Sequence, residues 1–334
     1  MAYCSHIAIA IATESVQGND EHGHRELPAM LRGPQEEAQE MLSKIDGRPA
    51  DLPLVSAIIP AYNAAKFIQV AIESALAQTH HLLEIIVVDD GSQDDTAKVA
   101  ENYPVTVIRQ QNGGPASARN TGVKAASGEW LAFLDHDDSW HANKTEQQLK
   151  YAQAGISAVF SEKCSRTDAV SFADMFARNY GGNLSSTMIR ADVLRALGMF
   201  DEDRALLGVD DYNLWLRFLI GGYRFAGTPQ YYEYTPAENH YGGRPDRMLA
   251  AELANYDKIA VLANLDSETV QHRKRLLRLE YVPDLIGHRK LQVARRQLMD
   301  LGFDSQTAKY WVVAFLPEWT LNFRRAVLSY LRMQ

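Results

Sequence analysis

Three short runs of nearly unbroken apolar residues constrain this chain more than any other feature. They are Val55-Ser56-Ala57-Ile58-Ile59-Pro60, Glu84-Ile85-Ile86-Val87-Val88-Asp89-Asp90 and Trp130-Leu131-Ala132-Phe133-Leu134-Asp135. A strand with one wet face alternates apolar and polar residues, so strands without alternation are covered on both sides. Helical spacing fills the gaps: Phe67, Ile68, Ala71, Ile72, Ala75 and Leu76 share one side of 64–78. Acids open a second helix over 94–101, where they favour the positive end of the helix dipole. A strand over 105–108 and a helix over 117–126 complete the alternation. Strands alternating with helices imply an α/β fold, a Rossmann-like, mostly parallel central sheet flanked by helices. Beyond it, 158–160 and 186–189 read as strands, 191–197 and 210–219 as helices, and the chain from Leu249 onward as mainly helical.

Composition narrows the class. Two cysteines in 334 residues, Cys4 and Cys164, make neither a disulfide scaffold nor a CxxC metal pair, which points to a reducing, cytoplasmic setting. No apolar run approaches the ~20 residues that span a bilayer. From Gln271 onward 12 basic residues stand against 5 acidic ones, a local +7, whereas the first 270 residues carry −15. An acidic body argues against a broad nucleic-acid footprint. Residues 1–50 read as an extension without the basic start of a signal peptide, and the aperiodic Gly-, Pro- and acid-rich part of it is expected to be disordered.

In open parallel sheets ligands bind beyond the carboxyl ends of the strands. That rule selects Pro60-Ala61-Tyr62-Asn63, Asp89-Asp90-Gly91-Ser92 and Asp135-His136-Asp137-Asp138 as the rim of one crevice. Turn chemistry and helix capping account for isolated aspartates, and that reading stays open for Asp89, Asp90 and Asp94. Three acids within four residues repel, and a hard divalent cation with oxygen ligands relieves the repulsion. No GxGxxG and no GxxxxGK[ST] is present. Phosphates bound here are therefore expected to be held by a metal and scattered donors, which suits a nucleoside diphosphate.

Four motifs in order, Val55 to Asn63, Ile86 to Asp94, Gln111-Asn112-Gly113-Gly114-Pro115-Ala116-Ser117-Ala118-Arg119-Asn120 and Leu134 to Asp138, resemble glycosyltransferase family 2 over residues 54 to about 235. The resemblance implies a GT-A fold, inversion at the transferred sugar, and Mn²⁺ or Mg²⁺. It places a glycosyltransferase domain at 51–240, with a nucleotide-binding half at 51–140 and an acceptor half at 141–240, before a helical region at 241–334. It implies that Pro60, Tyr62 and Asn63 line the nucleotide pocket and that Asp90 accepts a hydrogen bond from the base. Asp135 and Asp137 become the DxD acids, Asp137 on the metal and Asp135 near the ribose or the metal, with His136 a bystander. Without the resemblance Tyr62 is an ordinary core aromatic. Gly114 lets the backbone approach a ligand, and Arg119, in the first turn of the following helix, is expected to reach a phosphate or the sugar. The bland alternative is a surface arginine on a flexible turn.

The pair Asp210-Asp211 stands where the family has Glu-Asp before a helix with a Trp-Leu-Arg core, so the resemblance makes Asp211 the general base. Both acids also suit a helix N-terminus without any catalytic role. The reaction implied is transfer of a sugar from a nucleotide-sugar, UDP-linked by expectation, to a hydroxyl of a glycan or lipid-linked acceptor in polysaccharide, glycolipid or cell-surface glycan synthesis. Two other classes stay open: a nucleotide-sugar-binding protein without turnover, and a nucleotidyltransferase, although Pro60-Ala61-Tyr62-Asn63 is not the Gly-rich basic loop that class needs. The stretch 311–333 mixes aromatics with Arg324, Arg325 and Arg332. It reads equally as a terminal helix packed on the domain or as a peripheral contact with the inner face of a membrane.

Overall fold

A computed structural model describes residues 52–316 apart from 82, 153, 162–169 and 234–243. The chain divides into Met1–Leu52 and Pro53–Gln334, and the description below concerns the second unit. The expected disordered extension at 1–50 and the part of the aromatic-basic stretch beyond residue 316 lie outside the described residues.

Seven strands form one sheet: β1 (Val55–Ala61), β2 (Leu83–Asp89), β3 (Thr106–Arg109), β4 (Trp130–Phe133), β6 (Ala158–Ser161), β7 (Thr187–Arg190) and β8 (Phe225–Thr228). Their spatial order is β3-β2-β1-β4-β7-β6-β8. The first four are parallel neighbours, and β7 runs antiparallel to both β4 and β6. The helices between them are α1 (Ile68–Leu76), α2 (Thr96–Ala100), α3 (Pro115–Ala125), α4 (Lys144–Tyr151), α5 (Phe172–Ala177), α6 (Ala191–Ala196) and α7 (Asp210–Ile220). A small ribbon pairs β5 (Ser139–Trp140) with β9 (Tyr232–Glu233).

Both faces of the sheet are packed, as the non-alternating strands require. Val55, Ala57 and Ile59 belong to one apolar cluster, and their neighbour Ile58 belongs to the other. Helix starts fall later than the apolar periodicity suggests: α1 begins at Ile68 and α2 at Thr96. Asp94 explains the second shift, since its carboxylate accepts from Thr96 N and from Ala65 N at 3.1 Å each. That is capping and turn chemistry.

Pro60 lies inside a central strand, where a missing N–H is normally excluded. In a parallel strand alternate residues face the same neighbour, and Ile58 O accepts from Leu134 N on the β4 side. Pro60 faces that side too, but β4 pairing stops at Ile58↔Phe133. No ladder bond is lost.

C-terminal to the sheet come α8 (Pro245–Leu262), α9 (Ser267–Gly287), α10 (Leu291–Leu301) and α11 (Ala308–Phe315). α8 braces α7: Asn213 donates to Asn255 at 2.8 Å, and the Tyr212 and Tyr256 hydroxyls meet at 3.2 Å. No described helix is long and apolar enough to cross a membrane.

Candidate active site

The ends of β2, β1 and β4 are adjacent and point the same way, so the three loops chosen by sequence converge on one rim. The loop after β1 is tied to the loop after β2 through Asn63. Its N–H donates to Ser92 Oγ at 2.9 Å, and its side-chain oxygen accepts from Gln93 N at 2.8 Å. Asn63 has φ +50°, a conformation asparagine tolerates better than most residues. Tyr62 beside it is 43% exposed, so the core-aromatic reading does not hold. His136 is half-buried, with Nδ1 3.3 Å from Pro60 O, joining the loops after β4 and β1.

Asp90 is only 3% exposed. Its Oδ1 accepts from Gln110 Nε2 at 2.7 Å and Gly113 N at 2.8 Å, and its Oδ2 accepts from Gly114 N at 2.8 Å. A carboxylate offers about four lone-pair positions, and three are taken. The sequence suggests that the Gly113-Gly114 amides leading into α3 serve an external anion; the structure gives them to Asp90 instead. Asp90 thereby fixes the loop, and one position on Oδ2 takes no donor among the described residues. Gly114 sits at φ +93° directly before Pro115, the first residue of α3, a backbone state that favours glycine. Asp89 turns inward, accepting from Ser92 N at 3.0 Å.

Arg119 departs most from expectation. The sequence places it on a phosphate or a sugar; the structure buries it, 7% exposed, between two acids of the site. One terminal nitrogen donates to Asp210 Oδ2 at 2.5 Å and the other to Asp135 Oδ1 at 2.9 Å. Burial alone lowers an arginine's basicity, and here Asp210 and Asp135 reverse that and hold the guanidinium above its ordinary range. Arg119 Nε is buried without a partner among the described residues. The guanidinium therefore joins the start of α7 to the end of β4 across 91 and 16 residues of sequence.

This bridge also corrects the picture of crowded rim acids. Asp135 shares the Arg119 guanidinium with Asp210, and the Asp135 N–H donates to Ser185 Oγ at 3.0 Å. Asp138 is buried, and its N–H donates to the Asp135 carbonyl at 3.0 Å. Among the described residues no group of three or more His, Cys, Asp and Glu side chains is set to hold a metal. Half-buried Asp137 and the second oxygen of Asp135 make no hydrogen bond among the described residues. One or two carboxylates completed by phosphate oxygens and water are an ordinary Mg²⁺ arrangement, so these residues fit a cation arriving with a diphosphate.

Asp211, half-buried beside Asp210, accepts from Tyr212 N at 2.6 Å and leaves its other oxygen without a protein donor among the described residues. Burial and the neighbouring Asp210 charge push its carboxyl up to about 7. α7 is a rigid mount for it. Trp215 packs edge-on against Phe160 at 4.8 Å, and Arg217 donates to Leu197 O and Met199 O. Gly181 lies against the Trp215 indole with no room for a Cβ, which brings the loop 180–183 close to α7.

Known proteins resemble this chain in sequence and fold. The glycosyl transferase family 2 model matches residues 56–194. An Escherichia coli protein, UDP-Glc:alpha-D-GlcNAc-diphosphoundecaprenol beta-1,3-glucosyltransferase WfaP, is 33% identical over 186 residues, 52% of this chain and 74% of that one. The chain belongs to glycosyl transferase family 2. An uncharacterized glycosyltransferase of Rickettsia typhi is 35% identical over 192 residues, 50% of this chain and 59% of its own length. The chain thus spans about three fifths of the length of that curated relative. Two solved structures share the GT-A fold. Staphylococcus aureus TarS 1–349 in complex with UDP-GlcNAc has a TM-score of 0.55 at 20% identity, covering 82% of this chain and 88% of that one. Mannosyltransferase PcManGT from Pyrobaculum calidifontis, in complex with GDP-Man and Mn²⁺, has a TM-score of 0.54 at 21% identity, covering 88% and 93%. At such identities the likeness establishes the family member's fold.

Sequence reasoning missed Gln110, which supports Asp90 and accepts from Thr121 Oγ1 at 2.5 Å, and the direct contact of Ser185 with Asp135. Neither residue carries a local signal. Their roles arise where separate segments meet.

Proposed function

We propose that this family member is a metal-dependent inverting glycosyltransferase, moving a sugar from a nucleotide-sugar to a hydroxyl acceptor. The observation that carries the reading is Asp211: a carboxylate on a rigid helix, one oxygen free of protein donors, its pKa near neutrality. A base is most effective when its pKa lies close to working pH. The Arg119 bridge joins the segment bearing Asp211 to Asp135 and the rim.

In this reading Tyr62 offers its exposed ring to the base, and Asp90 uses its remaining acceptor position on the base edge. Pro60 and Asn63 form the pocket wall, and Gly114 lets the main chain approach the donor. Asp137 and Asp135 hold Mn²⁺ or Mg²⁺, which supplies Lewis-acid neutralisation of the leaving diphosphate. Asp211 takes the proton of the acceptor hydroxyl as its oxygen attacks the anomeric carbon. The bond to the diphosphate breaks on the opposite face, so the centre inverts and no enzyme nucleophile is needed. The two neighbouring structures hold UDP-GlcNAc and GDP-Man respectively. A UDP-sugar is the reading taken here, since the E. coli relative is named for UDP-Glc and for a lipid-linked acceptor. A glycan or lipid-linked acceptor in polysaccharide or glycolipid synthesis follows by the same likeness.

The test separates binding from turnover. UDP with Mn²⁺ is expected to raise the melting temperature of the wild type and of Asp211→Asn, and much less that of Asp137→Asn. Transfer from UDP-sugars is expected only from the wild type. Stabilisation by GDP compounds alone would overturn the uracil assignment. Nucleotide binding with no transfer to any acceptor in a broad screen would make the chain a binding protein.

A further inference from the structure

Among the described residues the C-terminal helices leave one apolar face exposed. α10 buries Leu291, Ala294, Leu298 and Leu301, and α11 buries Val313 and Ala314. On the other side Met299 is 63% exposed, Phe303 73%, Val312 63% and Phe315 42%. Phe303 and Phe315 are linked through Trp311. The Phe303 ring lies 6.1 Å from that of Trp311, which stacks on Phe315 at 5.0 Å with 7° between planes. Trp311 is pinned by a hydrogen bond from Nε1 to Gly302 O at 3.3 Å, and the Arg295 guanidinium sits 5.1 Å from the Phe315 ring centre. An ordered, wet run of rings is what a docking surface looks like before it is covered.

Charge identifies what covers it. Arg273, Lys274, Arg275 and Lys290 are each paired with an acid. Among the described residues Arg278, Arg289, Arg295, Arg296 and Lys309 have no carboxylate within ion-pair distance, so the cationic excess on these helices is unneutralised. Exposed Arg296 precedes Met299 by three positions, which puts it on that residue's side of the helix. Exposed Lys309 lies one turn before Val312. With −15 on the first 270 residues and +7 from Gln271 onward, an anionic surface attracts this region and repels the rest.

We propose that the α10–α11 face docks peripherally on an anionic lipid bilayer, its rings at the headgroup boundary and Arg296 and Lys309 among the lipid phosphates. Rings placed between water and hydrocarbon, with cations beside them, match the interface in both polarity and charge. The proposal goes beyond the transfer reaction and stands whether or not the donor assignment above does.

Sedimentation of the full chain with vesicles tests it. Binding is expected on phosphatidylcholine vesicles containing phosphatidylglycerol, with little on phosphatidylcholine alone, and it is expected to weaken as salt is raised. Each surface cation contributes about fivefold to such binding, so R296E/K309E is expected to lose well over tenfold. F303S/F315S is expected to lose about tenfold while keeping its melting temperature and its response to UDP with Mn²⁺. No binding, equal binding to neutral vesicles, or undiminished binding by both variants would overturn the proposal. So would a wild-type dimer, seen by light scattering, that F303S/F315S dissolves, since the face would then be an interface between copies of this chain.

Discussion

Replacing Asp211 by asparagine is expected to make the protein inactive and more stable at once. In the folded protein its carboxyl titrates at about 7 because burial and Asp210 disfavour the anion; in the unfolded chain a carboxyl titrates at about 4. Between those values the folded state holds a proton that the unfolded state has lost. Stability therefore falls as pH rises through this window, and the full penalty is present above it. A three-unit shift corresponds to ~4 kcal/mol, and the partial exposure and coupling of Asp211 reduce the expected penalty to ~1–3 kcal/mol. Asp211→Asn removes the penalty, so its melting temperature at about pH 8 is expected to exceed the wild type's by roughly 2–6 °C, with little difference near pH 4. Transfer is expected to fall by ~10²–10⁴-fold, the contribution of a placed base. Scanning calorimetry across pH and a sugar-transfer assay read the two effects. Parallel stability–pH curves for wild type and variant would refute the electrostatic argument, and a rate loss below fivefold would refute the role of base.

The other expectations concern the same charges and the loops around them. Asp210→Asn removes the negative neighbour of Asp211, so the acid limb of the kcat/KM–pH profile should move to lower pH; an unmoved limb would mean that the two carboxylates do not interact. Arg119→Ala leaves Asp210 buried without its cation and should cost ~3–5 kcal/mol in urea unfolding, with a loss below ~1 kcal/mol showing the bridge to be screened. Gly114→Ala at φ +93° should cost about 1–2 kcal/mol through backbone strain and weaken the thermal response to UDP with Mn²⁺. Lys144 is fully buried against the Trp140 ring and bonded to Gln148 Oε1 at 2.7 Å, and burial pushes its amine down to about 7. The folded protein therefore binds fewer protons than the unfolded chain from there up to ~10 and gains stability as pH rises through that range. Lys144→Met should stabilise more at about pH 6 than at about pH 9, and equal gains would show the amine to be charged throughout.

Much of the site was legible because its residues follow strands in sequence. The runs ending at Pro60, Asp90 and Asp135 placed three loops at one rim, and parallel pairing of β2, β1 and β4 follows from strands apolar on both faces. The helix carrying Asp211 was legible from the acids ahead of Trp215 and Arg217. Arg119 was not. At the first turn of a helix after a glycine loop it has the sequence context of a ligand-binding cation, and nothing local reveals that Asp210, 91 residues away, lies against it. Asp90 shows the same limit, since the donors it serves, Gly113 and Gly114, lie beyond a whole strand and helix.

Features readable along the chain alone are periodic and local: which segments are strands or helices, that both sheet faces are covered, and which edge carries the acids. These depend on the spacing of neighbouring residues and on the common direction of parallel strands. The distribution of charge among the acids emerges only on folding. Asp135 and Asp210 share one guanidinium, Asp90 is occupied by backbone amides, and Asp211 is left half-buried with an unused oxygen. Electrostatic energy in a low-dielectric site varies with distances of a few ångströms, and those distances are set by how helices pack across the sheet.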